Sequence, residues 1–441
     1  MTTPPLSLLF AAIALLGHAG HATADDAPVT ERRALAPFST IELVGPYHVI
    51  VTAQAERGLE LSGQPAQLAD IDTVVLNGTL LVRPLRHGAG IEGGKRREAA
   101  TVRIGAPGLL NLKAGGSGEV ELLRLQTPRL TLRQAGSGTL RAGGKVDALE
   151  FQGDGSGDTD LRQVRSATQR LALNGSGDVS AAGIEHTLLV SIGGSGDVTV
   201  EQLRADQVEV DMHGAGDLRL SGSSKQLGFD LRGSGDLDAC AMAAEAVRAT
   251  MRGAGDACVS GKITQMDTEL RGAGTLSASG LRTRHLRAVL AGSGGLRLAG
   301  ESGELEVDLA GSGDLDANAL SVGRAIIRAN GQGDVELGAV SEALEAELNG
   351  SGGLRAKLAA KKVQLKMKGP GDVDLEGSAG LIHALLSGSG SLDARALLAG
   401  RAEVIVRGPG QALLKVKAKP VAGGPAARLV RVDRAGATTE R

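Results

Sequence analysis

The motif Gly-X-Gly, most often Gly-Ser-Gly-Asp, recurs sixteen times between Gly116 and Gly408 at intervals of 19 or 20 residues. The pairs Gly155 and Gly157, Gly175 and Gly177, Gly194 and Gly196, Gly233 and Gly235, and Gly311 and Gly313 are typical. A fixed period of this length marks a solenoid, in which each repeat is one coil that buries its apolar face only against its neighbours. The chain therefore grows by adding coils, and its 441 residues need not divide into globular domains.

Offsets from the first glycine of each motif expose the coil. Offsets +4 and +6 are apolar almost throughout, and offset −4 is apolar everywhere except at Thr268, while −3 and +5 are mostly polar. Period-two alternation on both sides of the motif predicts two short strands with one face inward. At +6 large and small residues alternate, as in Leu298, Ala317, Leu337 and Ala356, the pattern by which stacked layers interdigitate. The fold expected is all-β, a parallel β-helix of 19–20 residues per coil with an irregular β cap at its N-terminus. At a strand spacing of about 4.8 Å the rod is on the order of 75 Å long, and the crossover rule makes it right-handed. The motif glycines are expected where a tight corner needs positive φ or leaves no room for Cβ. Asp at +3, as in Asp178, Asp197 and Asp217, is expected to bond to nearby backbone N–H groups.

Composition agrees. Gly supplies 66 residues, Trp is absent, and there are one Tyr and four Phe, which suits a narrow core of Leu, Val, Ile and Ala. A net charge of −2 gives no electrostatic reason to invoke nucleic acid. Residues 1–24 read as a signal peptide. Leu6–Leu16 is apolar but too short to span a bilayer, and Ala22-Thr23-Ala24 is a small-X-small cleavage site. No cysteine lies near it, so no lipoprotein anchor is expected, and no other segment is apolar enough to cross a membrane. The mature chain is expected to open with a flexible stretch, 25–36, and to reside in the periplasm or at the cell surface.

Residues 37–115 are strand-like without the motif, 116–414 are regular, and 415–441 read as a cap with a loose tail. In the first of these, Phe38, Ile41, Gly45, Val49 and Val51 form an F-x-x-I-x-x-x-G-x-x-x-V-x-V opening. Together with the Gly-Ser-Gly-Asp coils, this opening resembles the head GIN domain of putative auto-transporter adhesins, an exported bacterial family. The resemblance covers roughly Pro37 to Leu414. It implies a parallel β-helix and a surface or periplasmic setting, and it brings no catalytic residues. A self-exporting autotransporter carries a membrane barrel with aromatic girdles. No aromatic follows Gly408, so periplasmic residence is the default expectation.

Few residues suggest chemistry. Arg83, Arg86, Lys95, Arg96 and Arg97 fall in the longest interruption, which reads as a solvated loop or as a contact for acidic glycans or lipopolysaccharide. The Asp ladder invites comparison with calcium-binding β-rolls, but those repeat every nine residues with a different Gly-to-Asp spacing. No cofactor or metal is expected. Cys240 and Cys258 lie outward on adjacent coils, placed diagonally near the upper limit of disulfide reach, about 7 Å between Cα atoms. They read either as a disulfide or as two free thiols. Mixed charge at +5 gives no flat Thr ladder for ice. Solenoid ends leave strand edges that invite self-association, against which Lys415, Lys417, Lys419 and Pro420 read as gatekeepers. The leading expectation is an exported, non-enzymatic binding or structural rod, adhesin-like by resemblance, contacting an envelope glycan or a partner protein. The alternative is a β-helical polysaccharide-active enzyme, which would need groove-forming insertions and clustered carboxylates.

Overall fold

Alternation decides which residues point inward, and its interruptions decide where the chain turns. The computed structural model describes residues 28–85, 99–418, 427–434 and 436–440. It is 69% strand and 1% helix, a parallel β-solenoid of about 15 turns. In the coil opening at Gly194, Val198 and Val200 point inward, then Leu203 and Ala205, then Val208, Val210 and Met212. Between these sets two successive residues face outward, first Glu201 with Gln202 and then Asp206 with Gln207. A straight strand cannot place two neighbours on one face, so the chain bends at each pair. The Gly-X-Gly supplies the third bend, and the coil has three sides.

Coils stack parallel and in register. Val198 lies opposite Leu218 and Leu218 opposite Leu237, while Val208, Leu227 and Val247 follow one another on another side. Residues at +4 and +6 are buried in every coil, and those at −4 in every coil but the last, where Val404 is half-buried. The expected large–small layering is present, with Leu298, Ala317, Leu337 and Ala356 all in the core.

The motif glycines owe their place to contact rather than to dihedral angle, since none of them has positive φ. A Cβ built on Gly233 would lie 1.8 Å from the carbonyl oxygen of Gly214, and one on Gly253 1.9 Å from that of Gly233. Each glycine sits directly over the carbonyl of its counterpart one coil back. Positive φ belongs to a second glycine set at +8, present in six of the eight coils of 19 residues and at Gly280 in one of 20. Gly222 and Gly300 (φ 124° and 134°) press against Leu203 and Leu281 of the preceding coil, where a Cβ would lie 2.3 Å from a carbonyl oxygen. At Gly222 and Gly300 the register to the preceding coil shifts by one residue across this corner, which shortens these coils to 19 residues.

The N-terminal cap precedes the first motif: β1 (Val29–Arg33), β2 (Thr40–Leu43), β3 (His48–Thr52), β4 (Gly58–Gly63), α1 (Pro65–Ala69), β5 (Ile71–Leu76), β6 (Thr79–Pro84) and β7 (Thr101–Gly105). β8 (Asn111–Ala114) and β9 (Val120–Gln134) begin the regular stack, which runs to β25 (Leu392–Val406). β2 and β3 pair parallel with β8 and β9, and Gly45 and Tyr47 lie under Gly116 and Gly118. The resembling F-x-x-I-x-x-x-G opening is thus one more coil of the same column. β6 and β7 continue two sides in parallel, after which β5, β4 and β1 pair antiparallel and end the stack. The Arg33 guanidinium donates to the carbonyl of Ile71 (2.8 Å) and the Thr73 hydroxyl (2.7 Å), which anchors β1. Within the stretch 25–36, expected to be flexible, Val29–Arg33 therefore form a paired strand, while 25–27 lie outside the described residues.

The C-terminus is also more ordered than expected. β26 (Ala412–Lys417) adds to β25 in parallel, and β27 (Ala427–Asp433) and β28 (Gly436–Glu440) return antiparallel. Val416 and Val430 pack against the core beside buried Val432, so alternation in Arg-Leu-Val-Arg-Val makes a strand of the tail. Lys415 and Lys417 consequently lie on a paired strand, not on a free edge.

Two measurements test this account. Gly233→Ala places a methyl into backbone that no rotamer change relieves, and is expected to cost at least about 3 kcal/mol, whereas Ser234→Ala, at an exposed position, melts within a degree or so of wild type. Equal melting of the two variants contradicts the contact argument. Tyr47, the one tyrosine of the chain, tucks its ring beneath Gly45. Burial, with the Asp70 carboxylate adding, pushes its phenol up to about 12. An absorbance titration at the phenolate band should then have its midpoint near 12 in the folded chain and near 10 in the unfolded one. Between those values the unfolded chain ionises and the folded one does not, so the contribution present below pH 10 is lost as pH rises to 12.

Candidate functional site

The corner that carries the sequence signature is occupied with holding the stack. Backbone N–H groups of the motif reach back one coil, as from Ser195 to the Gly175 carbonyl (3.1 Å), whereas the N–H at +4 reaches forward, as from Val198 to the Asp217 carbonyl (2.9 Å). The N–H at +3 lies where this direction reverses, and the Asp one coil back serves it. Asp178, Asp197, Asp217, Asp236 and Asp256 each donate their N–H to Oδ1 of the preceding Asp, from Asp158 onward, at 2.8–3.0 Å. Thr275 closes the run on Asp256 at 2.7 Å. The expected side-chain-to-backbone bond is present, but its partner is the next coil rather than the Asp's own turn.

The three sides carry the surface available to a ligand. On the side before the motif the outward row reads Arg170, Leu189, Glu209, Gly228, Arg248 and Asp267 in successive coils. Gly228 leaves a gap in that row, and the Glu209 carboxylate bends over it, 2.3 Å from where a Cβ would stand. Two open depressions of about 510 and 430 Å3 meet there. Arg170, Asp211 and Asp230 line one, Gln265 and His285 line the other, and Glu209, Gly228 and Arg248 are shared. Arg170 and Arg248 have no ion-pair partner among the described residues. Sequence reasoning passed over Gly228; an isolated glycine inside a strand pattern, far from any turn, was the available signal.

Elsewhere the sides are charge-matched from coil to coil. Residues 331–349 contain Asp334, Glu336, Glu342, Glu345 and Glu347 and no Lys or Arg, while residues 350–368 contain Arg355, Lys357, Lys361, Lys362, Lys366 and Lys368 and no acid. Arg355 pairs with Glu336 at 2.7 Å, and Lys368 and Lys366 reach Glu347 at 2.8 and 3.1 Å. Hydrogen bonds from these two lysines draw the Glu347 carboxyl down to about 2. Exposed pairs of this kind add about 0–1 kcal/mol each; their larger effect is to oppose a slip of one coil over another.

The other expected site residues are scattered. Arg83 lies on β6 rather than in the interruption, because β6 runs to Pro84, and it pairs with Asp72 across to β5 at 3.0 Å. Arg86, Lys95, Arg96 and Arg97, like the signal segment, lie outside the described residues. Among the described residues no group of three or more His, Cys, Asp or Glu could hold a metal ion, and no helix is long and apolar enough to cross a membrane. Cys240 and Cys258 stand on adjacent coils with Cα atoms 5.2 Å apart and are paired as a disulfide. They are closer than a flat ladder allows because the register between the coils shifts after Ala239, where the chain turns its corner.

Residues 37–187, 163–280, 258–355 and 340–422 each match the family model described as putative auto-transporter adhesin, head GIN domain. The chain belongs to that family. Each match spans several coils, so the head GIN unit is itself a stack. The solved structures similar to this chain include two of low identity. One is a putative adhesin from Bacteroides fragilis NCTC 9343, 18% identical, covering 57% of this chain and 97% of its own, with a TM-score of 0.39. The other is a putative lipid binding protein from Parabacteroides distasonis ATCC 8503, also 18% identical, covering 65% and 96%, with a TM-score of 0.33. No protein of curated function matches the chain.

A thiol assay on the unreduced, denatured protein is expected to find no free thiol, and reduction should release two. Two thiols before reduction would return Cys240 and Cys258 to the unpaired reading.

Proposed function

We propose that this head GIN protein is an exported, non-enzymatic binding rod of the bacterial cell envelope, adhesin-like in action, whose sides hold an extended polymer. One observation carries the reading. Coil length varies by a single residue from Gly116 to Gly408, so outward side chains form continuous rows and no insertion among the described coils walls off a cleft. A surface of this form offers the same polar groups at every coil, about 4.8 Å apart, which suits a repeating chain better than a compact molecule. The family description supports the adhesive part of the reading, and the signal-like N-terminus supports export. The trough at Gly228 is recessed, and Arg170 and Arg248 line it beside the carboxylates of Glu209, Asp211, Asp230 and Asp267. With carboxylates and guanidinium groups side by side, a hydroxyl-rich envelope glycan that can both donate and accept hydrogen bonds is the ligand this stretch favours.

A glycan array probed with the purified protein, followed by a reducing-end assay on each ligand retained, tests this. Glycans should be retained without release of product, and the Arg170→Ala, Arg248→Ala double variant should retain them at least fivefold more weakly at unchanged melting temperature. Steady release of new reducing ends would instead establish the polysaccharide-active enzyme.

A further inference from the structure

The two ends of the rod differ from its sides. Exposed large apolar side chains cluster there: Val29, Val44, Leu76, Leu85, Leu110 and Leu123 towards one end, Ile405 and Leu429 towards the other. Among the described residues the coils between carry none. Charge is polarised too. Residues 405–441 hold eight Lys and Arg against two Asp and Glu, a net +6 in a chain whose total is −2. Arg407, Lys415, Lys417, Arg428, Arg431 and Arg434 are described, and all six are exposed.

Along the sides many cations pair with acids of the same or a neighbouring coil, as Arg328 does with Glu306 and Arg355 with Glu336. The last such pairs are Arg395 with Asp393 and Arg401 with Glu403. Beyond Glu403 six cationic side chains are described against one carboxylate side chain, the half-buried Asp433. The return of the chain gathers these cations. β27 runs antiparallel to β26 with Lys415 opposite Leu429, Lys417 opposite Ala427 and Leu413 opposite Arg431. Opposed residues of an antiparallel pair project to the same face. Lys415, Lys417 and Arg431 therefore share one outward surface with Leu429, which is 38% exposed.

We propose that this C-terminal end docks on an anionic lipid surface and stands the rod off from it. Cations near such a surface contribute about 1 kcal/mol each, and the attraction fades within a Debye length. Leu429 adds an apolar group at the centre of the charged face, the combination by which peripheral segments settle into the headgroup region. The assignment stands whichever polymer the sides contact.

Co-sedimentation with phosphatidylcholine vesicles, with and without phosphatidylglycerol, tests it. The protein should pellet only with the anionic vesicles, and should be released as salt is raised. The Lys415→Gln, Lys417→Gln, Arg431→Gln variant should bind at least tenfold more weakly. Arg141→Gln, Arg219→Gln, Arg297→Gln removes the same charge from a side and should bind as wild type. Equal weakening in both variants would reduce the effect to net charge and overturn the proposal. So would an absence of vesicle binding, or particles that grow end to end with concentration in light scattering, which would make a second copy the occupant. Should the first variant melt early, the salt series and the lipid dependence of the wild type still decide.

Discussion

The close approach of one glycine to the carbonyl of the glycine one coil back is the contact on which this molecule depends. It recurs twice per coil, from Gly116 over Gly45 to Gly410 over Gly390, and at none of these sites is there room for a side chain. Because the corner is made of backbone alone, its position is the same in every coil, and the strands leaving it are held in register. Everything placed by that register follows: inward layers that alternate large and small, an Asp that serves the next coil's N–H, and charges that face opposite charges. A side chain at the corner would tilt one coil against its neighbour and spoil all of these at once.

The Asp ladder shows how a sequence signature that resembles a binding motif can serve the backbone. Backbone hydrogen bonding reverses direction at the corner, which strands one N–H per coil, and a carboxylate at +3 is the shortest acidic side chain that reaches it. Where Asp is replaced, as at Thr275 and Gly353, the residue still donates its N–H to the Asp behind it, so the ladder tolerates gaps. The ion pairs on the sides act differently. They are exposed and individually weak, but an acidic coil beneath a basic one, as in residues 331–368, makes the native stacking order electrostatically preferred over a slipped one.

A rod of this kind divides its surface by function. The motif corner is committed to stacking, the sides offer rows of polar groups at a fixed rise, and the ends carry the exposed large apolar residues that the sides lack, with an excess of cations at the C-terminal one. The proposed polymer contact and the proposed lipid contact fall on different parts of that surface, and neither asks a coil to move. Nor does either draw on the motif that identifies the family.

The coil length, the parallel stacking and the inward positions were legible in the sequence, because a solenoid repeats its local rules and each coil restates which residues alternate. Gly233 and Gly235, or Leu298 and Ala317, could be assigned from spacing alone. The reason for the glycines could not: absence of Cβ room is a relation between coils, and it replaced positive φ only once Gly214 was seen beneath Gly233. The same holds for Cys240 and Cys258, brought within 5.2 Å by a register shift, and for Gly228, whose gap exists only because Glu209 and Arg248 stand on either side. The ends were least legible. Arg33 anchoring β1 and the antiparallel return of β27 break the repeat, and where repetition stops, only the tertiary structure decides what closes the stack.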